Sequence, residues 1–165
     1  MLSAAREFTL PDDSTASVQA TYHQYDYIGY YPYDYPPVTL SEDTAQGKRL
    51  GLEAQWIKRV TDQHTLRAWG EIFHDSRIAQ GYVDVDPYVE HMNDRRQGHH
   101  WGLFVEDEFA FSPRWQLNLG LRWDRQWTGD ITSQPRLGLI HQFNNTTTLK
   151  LLYGTASRAP TAYER

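Results

Sequence analysis

Between Trp115 and Trp123 the chain alternates without a break. Trp115, Leu117, Leu119, Leu121 and Trp123 fall on one side, and Gln116, Asn118, Gly120 and Arg122 on the other. A repeat of two residues is the period of a β-strand, so one face of this strand meets an apolar medium and the other a polar one. At roughly 3.3 Å per residue and a tilt of roughly 40°, the two Trp rings lie about 20 Å apart along a barrel axis. That separation approaches the apolar band of a membrane-spanning β-barrel, about 25 Å tall and bounded by aromatic girdles.

The pattern recurs along the chain, which predicts an all-β, antiparallel meander of about seven or eight strands forming part of a transmembrane barrel wall. Predicted strands cover Ala16 to Tyr27, Arg49 to Lys58, His64 to His74, His100 to Phe111, Trp115 toward Trp127, Gln134 to Phe143 and Thr147 to Ala156. Ala4 to Leu10 supplies an eighth if it ends at the Pro11-Asp12-Asp13-Ser14 turn. Asp107 interrupts the apolar series of the fourth strand, which implies either a bulge there or a place near the membrane interface. The connections alternate in length. Val60 to Gln63, Ser112 to Arg114 and Asn144 to Thr146 are short and polar, whereas Ile28 to Lys48, Asp75 to Gly98 and Thr128 to Ser133 are predicted as longer loops. In bacterial outer-membrane barrels the short side is periplasmic and the long side extracellular.

Composition fits this reading once the barrel is in view. No apolar run approaches the length of a membrane helix, but a barrel wall shows lipid only at every second residue. Six Trp and eleven Tyr suit interfacial belts and ligand-binding surfaces alike. The absence of cysteine excludes disulfides, thiolate zinc sites and a Cys nucleophile. A net charge of −5 with no basic block argues against a nucleic-acid partner. Met1 to Leu10 holds Arg6 and Glu7 and no apolar core, so it is not a secretory signal.

Four ordered blocks carry a more specific likeness. Leu103-Phe104-Val105-Glu106-Asp107-Glu108, Leu119-Gly120-Leu121-Arg122-Trp123-Asp124, Pro135-Arg136-Leu137-Gly138-Leu139 and Leu149 to Glu164 resemble, in order and spacing, the barrel of TonB-dependent outer-membrane receptors. In the last block Tyr153, Gly154, Arg158, Ala159, Pro160 and Glu164 fit the family's "K-x-x-Y-G-x-x-x-R-A-P-x-x-x-E" stretch, with Ser157 where many members carry Phe. The resemblance implies a 22-stranded barrel closed by a plug and set in the bacterial outer membrane. Such a barrel imports scarce nutrients such as ferric siderophores, haem or cobalamin. Its energy comes from the TonB complex acting through a box before the plug. Neither plug nor box has a counterpart here, so residues 1–165 are expected to be an internal barrel fragment, with outer-membrane lipid and a ferric siderophore or similar ligand as partners. No cofactor is implied.

Within this frame several residue groups invite chemistry. The aromatic, proline-punctuated stretch from Tyr25 to Pro37 lies at the outer end of a strand. Tyr offers contact area at low entropic cost together with a hydroxyl, which makes Tyr30, Tyr31, Tyr33 and Tyr35 candidate ligand contacts in an extracellular loop. The competing reading is an interfacial girdle. His91, His99 and His100 are poorly disposed for a metal, since neighbours on an extended chain point to opposite faces. Asp75, Asp84, Asp86 and Glu90 lack calcium-loop spacing. Arg49, Glu53, Arg67, Glu71, Glu106, Arg122, Asp124 and Arg136 alternate into the expected lumen, where opposite charges pair across strands. Nothing in their spacing selects a catalytic carboxylate pair, so no enzyme is expected. Two alternatives make definite demands. A self-contained eight-stranded outer-membrane barrel with a structural or adhesive role requires Ala4 to Leu10 to pair with Thr147 to Ala156. A soluble lipocalin-like barrel requires Leu117, Leu119 and Leu121 to be buried inside.

Overall fold

The computed structural model describes residues 1–34, 36, 38–126 and 129–157. Eight strands follow in chain order: β1 Leu2–Thr9, β2 Thr15–Tyr33, β3 Thr39–Arg59, β4 His64–Asp86, β5 Tyr88–Ser112, β6 Trp115–Arg125, β7 Ile131–Gln142 and β8 Thr148–Gly154. Each pairs antiparallel with the next in a single sheet ordered β1 to β8, and no helix occurs among the described residues. The sheet is open there, since β1 pairs with β2 alone and β8 with β7 alone. The closure required of a self-contained barrel is therefore not formed. An eight-stranded ring leaves an interior just wide enough for side chains, and this polar face carries Trp69, Phe73, Phe104 and several arginines.

Register sorts the two faces. Leu151, Leu139, Leu117 and Phe109 form one cross-strand row, and Tyr153, Leu137, Leu119 and Asp107 the next. On β2 to β4, Ala20, Leu52 and Ile72 continue this apolar face. Leu119, Leu137, Leu149 and Leu151 are 43% to 56% exposed, and no apolar side chain is buried among the described residues. The soluble-barrel alternative fails on that point, because its leucines would have to fill an interior. An apolar face without a protein core is instead suited to lipid.

Side chains fix every short turn. Asp12 Oδ1 accepts from Ser14 N at 3.2 Å, Thr61 Oγ1 from His64 N at 3.1 Å, Ser112 Oγ from Arg114 N at 3.3 Å and Asn144 Oδ1 from Thr146 N at 2.9 Å. These bonds satisfy backbone donors that the ladder no longer reaches. Beside the turns runs an aromatic row. His64 stacks on Phe109 with ring centres 4.3 Å apart, Phe109 meets Phe111 at 5.6 Å, Phe111 meets Trp115 at 6.1 Å, and Trp115 stacks on His141 at 3.9 Å. Asp107 lies on the apolar face just inside this row, and no bulge occurs there; the register shift falls between Phe109 and Ser112. Its Oδ2 meets His64 Nδ1 at 2.8 Å, which gives the carboxylate a partner near the interface.

At the other end the sequence expectation needs correction. Ile28 to Lys48 and Asp75 to Gly98 are not loops. β2 and β3 remain paired up to Tyr33 and Thr39, and β4 and β5 turn over the single residue Pro87. Strands β4 and β5 have 23 and 25 residues, against the 9–11 that cross a bilayer, so each rises beyond the membrane by about a dozen residues. The outer part of this ribbon is wet on both faces and needs no apolar alternation, which is why periodicity missed it. Its Tyr, Val and Thr residues still favour extended backbone. The third connection is also short: β6 ends at Arg125 and β7 begins at Ile131, with Gly129 at φ 93°. Trp127, expected at the end of β6, lies outside the described residues.

Candidate functional site

The polar face is organised by arginines. Arg122 on β6 donates through Nη2 to Glu71 Oε1 on β4 at 2.6 Å and to Asp124 Oδ1 at 2.6 Å, while its Nε lies 2.8 Å from Asp124 Oδ2. Its guanidinium sits 4.9 Å from the centre of the Trp69 ring. Gln134 Nε2 donates to Asp124 Oδ2 at 2.8 Å and to Ser157 Oγ at 2.9 Å, so the residue that departs from the family pattern joins this network. Gly102 on β5 forms the floor, because a Cβ there would lie 2.7 Å from Arg122 Nη2 and 2.8 Å from Glu71 Oε1. Arg67 pairs with Glu106 and Glu108, and Arg136 lies 5.6 Å from the Phe104 ring centre. The charged residues expected in the lumen thus share one face. Glu53 stands directly opposite Glu71 in the β3–β4 ladder, a like-charge juxtaposition that Arg122 offsets from β6.

Toward the long ends of the strands this face opens into a groove of about 360 Å³, lined among others by His23, Tyr25, Gly47, Arg49, Phe73 and Asp75. Arg49 grips the buried Asp75 with Nε to Oδ1 at 2.7 Å and Nη2 to Oδ2 at 3.1 Å, and its guanidinium lies 5.5 Å from the Phe73 ring centre. Tyr25 lies across Gly47, directly opposite on β3, where a Cβ would clash with the ring. Glycine is what lets this phenol lie flat along the wall. Above it the same face of β2 carries Tyr27, Tyr31 and Tyr33, and the Tyr27 and Tyr31 hydroxyls are hydrogen-bonded. That bond holds the Tyr27 phenol proton more tightly than usual. The result is a stripe of four tyrosines ending in a cationic and aromatic groove, an arrangement able to hold an extended ligand with aromatic and anionic groups.

Tyr30, Tyr31 and Tyr33 do not all share one face. Tyr31 and Tyr33 belong to the stripe, whereas Tyr30 faces the opposite side against Glu42, whose carboxylate raises its phenol pKa. All three are in strand β2 and not in a loop. Tyr35 lies outside the described residues. Tyr25 and Tyr27, not chosen from sequence, share the parity of Tyr31 along β2; that parity was the available signal. Tyr153 and Gly154 pair with Leu137 and Arg136 on the edge strand β8, while Arg158, Ala159, Pro160 and Glu164 lie outside the described residues.

The histidines and acids resolve into separate pairings. His99 and His100 occupy opposite faces, as extended backbone dictates. Asp84 accepts from Ser41 Oγ at 2.5 Å and meets His91 Nε2 at 2.7 Å, contacts that hold its carboxyl below the ordinary range. A carboxylate standing between serine and histidine cannot activate the serine, since the imidazole does not reach the hydroxyl. No group of three His, Cys, Asp or Glu suited to a metal occurs among the described residues.

An apolar outer face with an aromatic row along one end and an ion-paired inner face define the wall of a transmembrane β-barrel of the outer-membrane kind. The family described as TonB dependent receptor-like, beta-barrel matches residues 1–165, and the chain belongs to it. That family resides in the bacterial outer membrane and serves TonB-dependent transport. No curated protein and no solved structure matches the chain.

Proposed function

We propose that this wall serves a receptor that takes up a ferric siderophore, with the luminal groove and the tyrosine stripe as its ligand-contacting surface. The observation that carries the reading is the placement of Tyr25, Tyr27, Tyr31 and Tyr33 on one face leading down to Arg49, Phe73 and His23. Siderophores are polar, often anionic and rich in flat groups, and phenols beside a guanidinium suit such chemistry. The open sheet edges at β1 and β8 support membership in a larger ring. Within that ring a plug would face the arginine network, and the TonB complex would act through segments other than these strands.

The test is equilibrium binding of a ferric siderophore to cells displaying equal amounts of full-length receptor. Replacing Tyr25, Tyr31 and Tyr33 by Ala should cost a few kcal/mol, the scale of aromatic hot spots. Tyr30→Ala, on the far face, should leave affinity unchanged. Equal affinity for the triple variant and wild type would remove these tyrosines from the site.

A further inference from the structure

Two phenols of the β2 stripe fold toward each other over a glycine. Tyr27 and Tyr31 stand on the inward face of the ribbon, and their hydroxyls meet above Gly29, the residue midway between them. A Cβ at Gly29 would clash with the Tyr27 hydroxyl and come within 3.0 Å of Tyr31 Cε2, so the pair closes only over a residue without a side chain. Directly across the β2–β3 ladder from Gly29 is Asp43, flanked there by the partners of Tyr27 and Tyr31, Ala45 and Ser41. Opposed residues share a face of the sheet, so the carboxylate stands beside the two hydroxyls. The Tyr31 bond above all, with the Asp43 charge adding to it, raises the Tyr27 phenol pKa, which places the acid within electrostatic reach. Both rings are exposed.

The surroundings leave these oxygens a negative charge to share. The cross-strand row through the site is Gly29, Asp43, Tyr82 and Met92, which holds no cation, and Asp43 forms no ion pair among the described residues. Tyr82 gives its proton to Ser41 Oγ at 3.3 Å, and Asp84, on the same face, is already taken up by Ser41 and His91. On the other side the pairing of β1 with β2 stops at Tyr22, so no side chain of β1 reaches this height among the described residues. Two phenol oxygens in hydrogen-bond contact are spaced like adjacent ligands of a small cation. With metal–oxygen bonds near 2 Å, neighbouring corners of an octahedron are about 2.8 Å apart, the span of an O–H···O bond.

We propose that Tyr27, Tyr31 and Asp43 form a site for the ferric ion itself, held by two phenolates and a carboxylate of the protein in place of a siderophore. Phenols keep their protons up to a pH of about 10, so a divalent cation such as magnesium or calcium does not displace them at neutral pH. A trivalent ion does, and phenolate is a ligand of ferric iron elsewhere in proteins. On binding, both phenol protons pass to water, Asp43 enters already ionised, and the iron stays ferric. The remaining corners of the octahedron face outward and take water or the oxygens of a weak chelator that delivers the ion. The site uses the tyrosine stripe of the siderophore reading but not its ligand, because a siderophore already fills the coordination shell of its iron.

The experiment titrates the full-length receptor in detergent with ferric nitrilotriacetate and follows the visible phenolate-to-iron charge-transfer band. The wild type should develop the band, and Y27F/Y31F, which keeps both rings, should not. D43N and Gly29→Ala should each weaken the ion at least about tenfold, and Y30F, on the far face, should match the wild type. Because two protons leave, affinity should fall about 100-fold for each unit of added acidity, after allowance for the chelator's own protons. Excess magnesium should not bleach the band. Heat-shifted electrophoretic mobility reports whether each barrel assembled; if Y27F/Y31F does not assemble, Y31F serves, with an expected loss of at least about tenfold in affinity. A colourless assembled wild type overturns the proposal. So do wild-type colour and affinity in assembled Y27F/Y31F, Y31F or D43N, an affinity indifferent to pH, or displacement of the ion by magnesium. Ferric siderophore binding is measured on the same samples: a wild type that binds siderophore without developing the band with ferric nitrilotriacetate loses only the ion site, and one that develops the band but binds no siderophore loses only the siderophore reading.

Discussion

Replacing Arg122 by Met tests how the inner wall is held together. The side chain makes N–O contacts of 2.6 to 3.0 Å to two carboxylates that are themselves only 14% and 11% exposed. Without the guanidinium, Glu71 and Asp124 lose their shared counter-charge, and Glu53 stands opposite Glu71 with the same sign. Removing one partner of a largely buried pair costs about 3–5 kcal/mol, because the remaining charge is left unsolvated. R122M in the full-length protein should lose that much, read from urea titrations in lipid vesicles, with fluorescence of Trp69 beneath the guanidinium as a local signal. R122K keeps the charge but loses the fork that reaches both carboxylates, and should fall between, at about 1–2 kcal/mol. A loss below about 1 kcal/mol for R122M would place the cluster with exposed surface pairs and refute the argument. Equal losses for Met and Lys would show that geometry matters here and charge does not.

Three further outcomes follow from other parts of the wall. Gly102→Ala drives a methyl to within 2.9 Å of three atoms of the same cluster and should cost about 1–3 kcal/mol, measured in the same titration; a neutral effect would mean that the cluster relaxes freely. Because Ser41 and His91 depress the Asp84 carboxyl pKa, its stabilisation of the ribbon is present above the ordinary carboxylate value and is lost as pH falls through the folded value. Amide exchange in the ribbon should therefore quicken in acid in the wild type and much less so in Asp84→Asn, whereas parallel acid responses would discount the contact. At the lipid face His64→Ala alone should destabilise by leaving Asp107 unpaired, but the double change H64F/D107L should be neutral or stabilising. A double variant weaker than the single would show that the polar pair is worth more than the apolar packing it displaces.

How far the sequence could be read depended on what each face touches. From Trp115 to Trp123, and in the matching parts of the other strands, lipid on one side and polar lumen on the other imprint a period of two, so strands, faces and short turns were all legible. Past the membrane that contrast vanishes. Tyr30 and Tyr31 then look alike in sequence although they face opposite ways, and the outer parts of β2 to β5 read as loops. The extra residue Ser76 in β4, where the β3–β4 register shifts between Lys48 and Arg49, is harder still, for a one-residue change of parity leaves no trace where nothing alternates. Luminal pairing was legible as a set of charges but not as partners: that Arg122 reaches across to Glu71, over Gly102, depends on register, which only the folded sheet supplies.

The placing of Trp115 and Trp123 has a further consequence for where this wall is comfortable. Trp115 and Trp123 stand eight residues apart on one rigid, doubly paired strand, so their axial separation of about 20 Å cannot adjust as a single tilting helix can. With no apolar side chain buried among its described residues, the sheet draws its cohesion from hydrocarbon, and acyl-chain length becomes a structural variable. In bilayers of longer chains the lipid must thin around the wall, at fractions of a kcal/mol per ångström of mismatch. Membrane thickness alone would then sort this protein toward the thinner bacterial outer membrane.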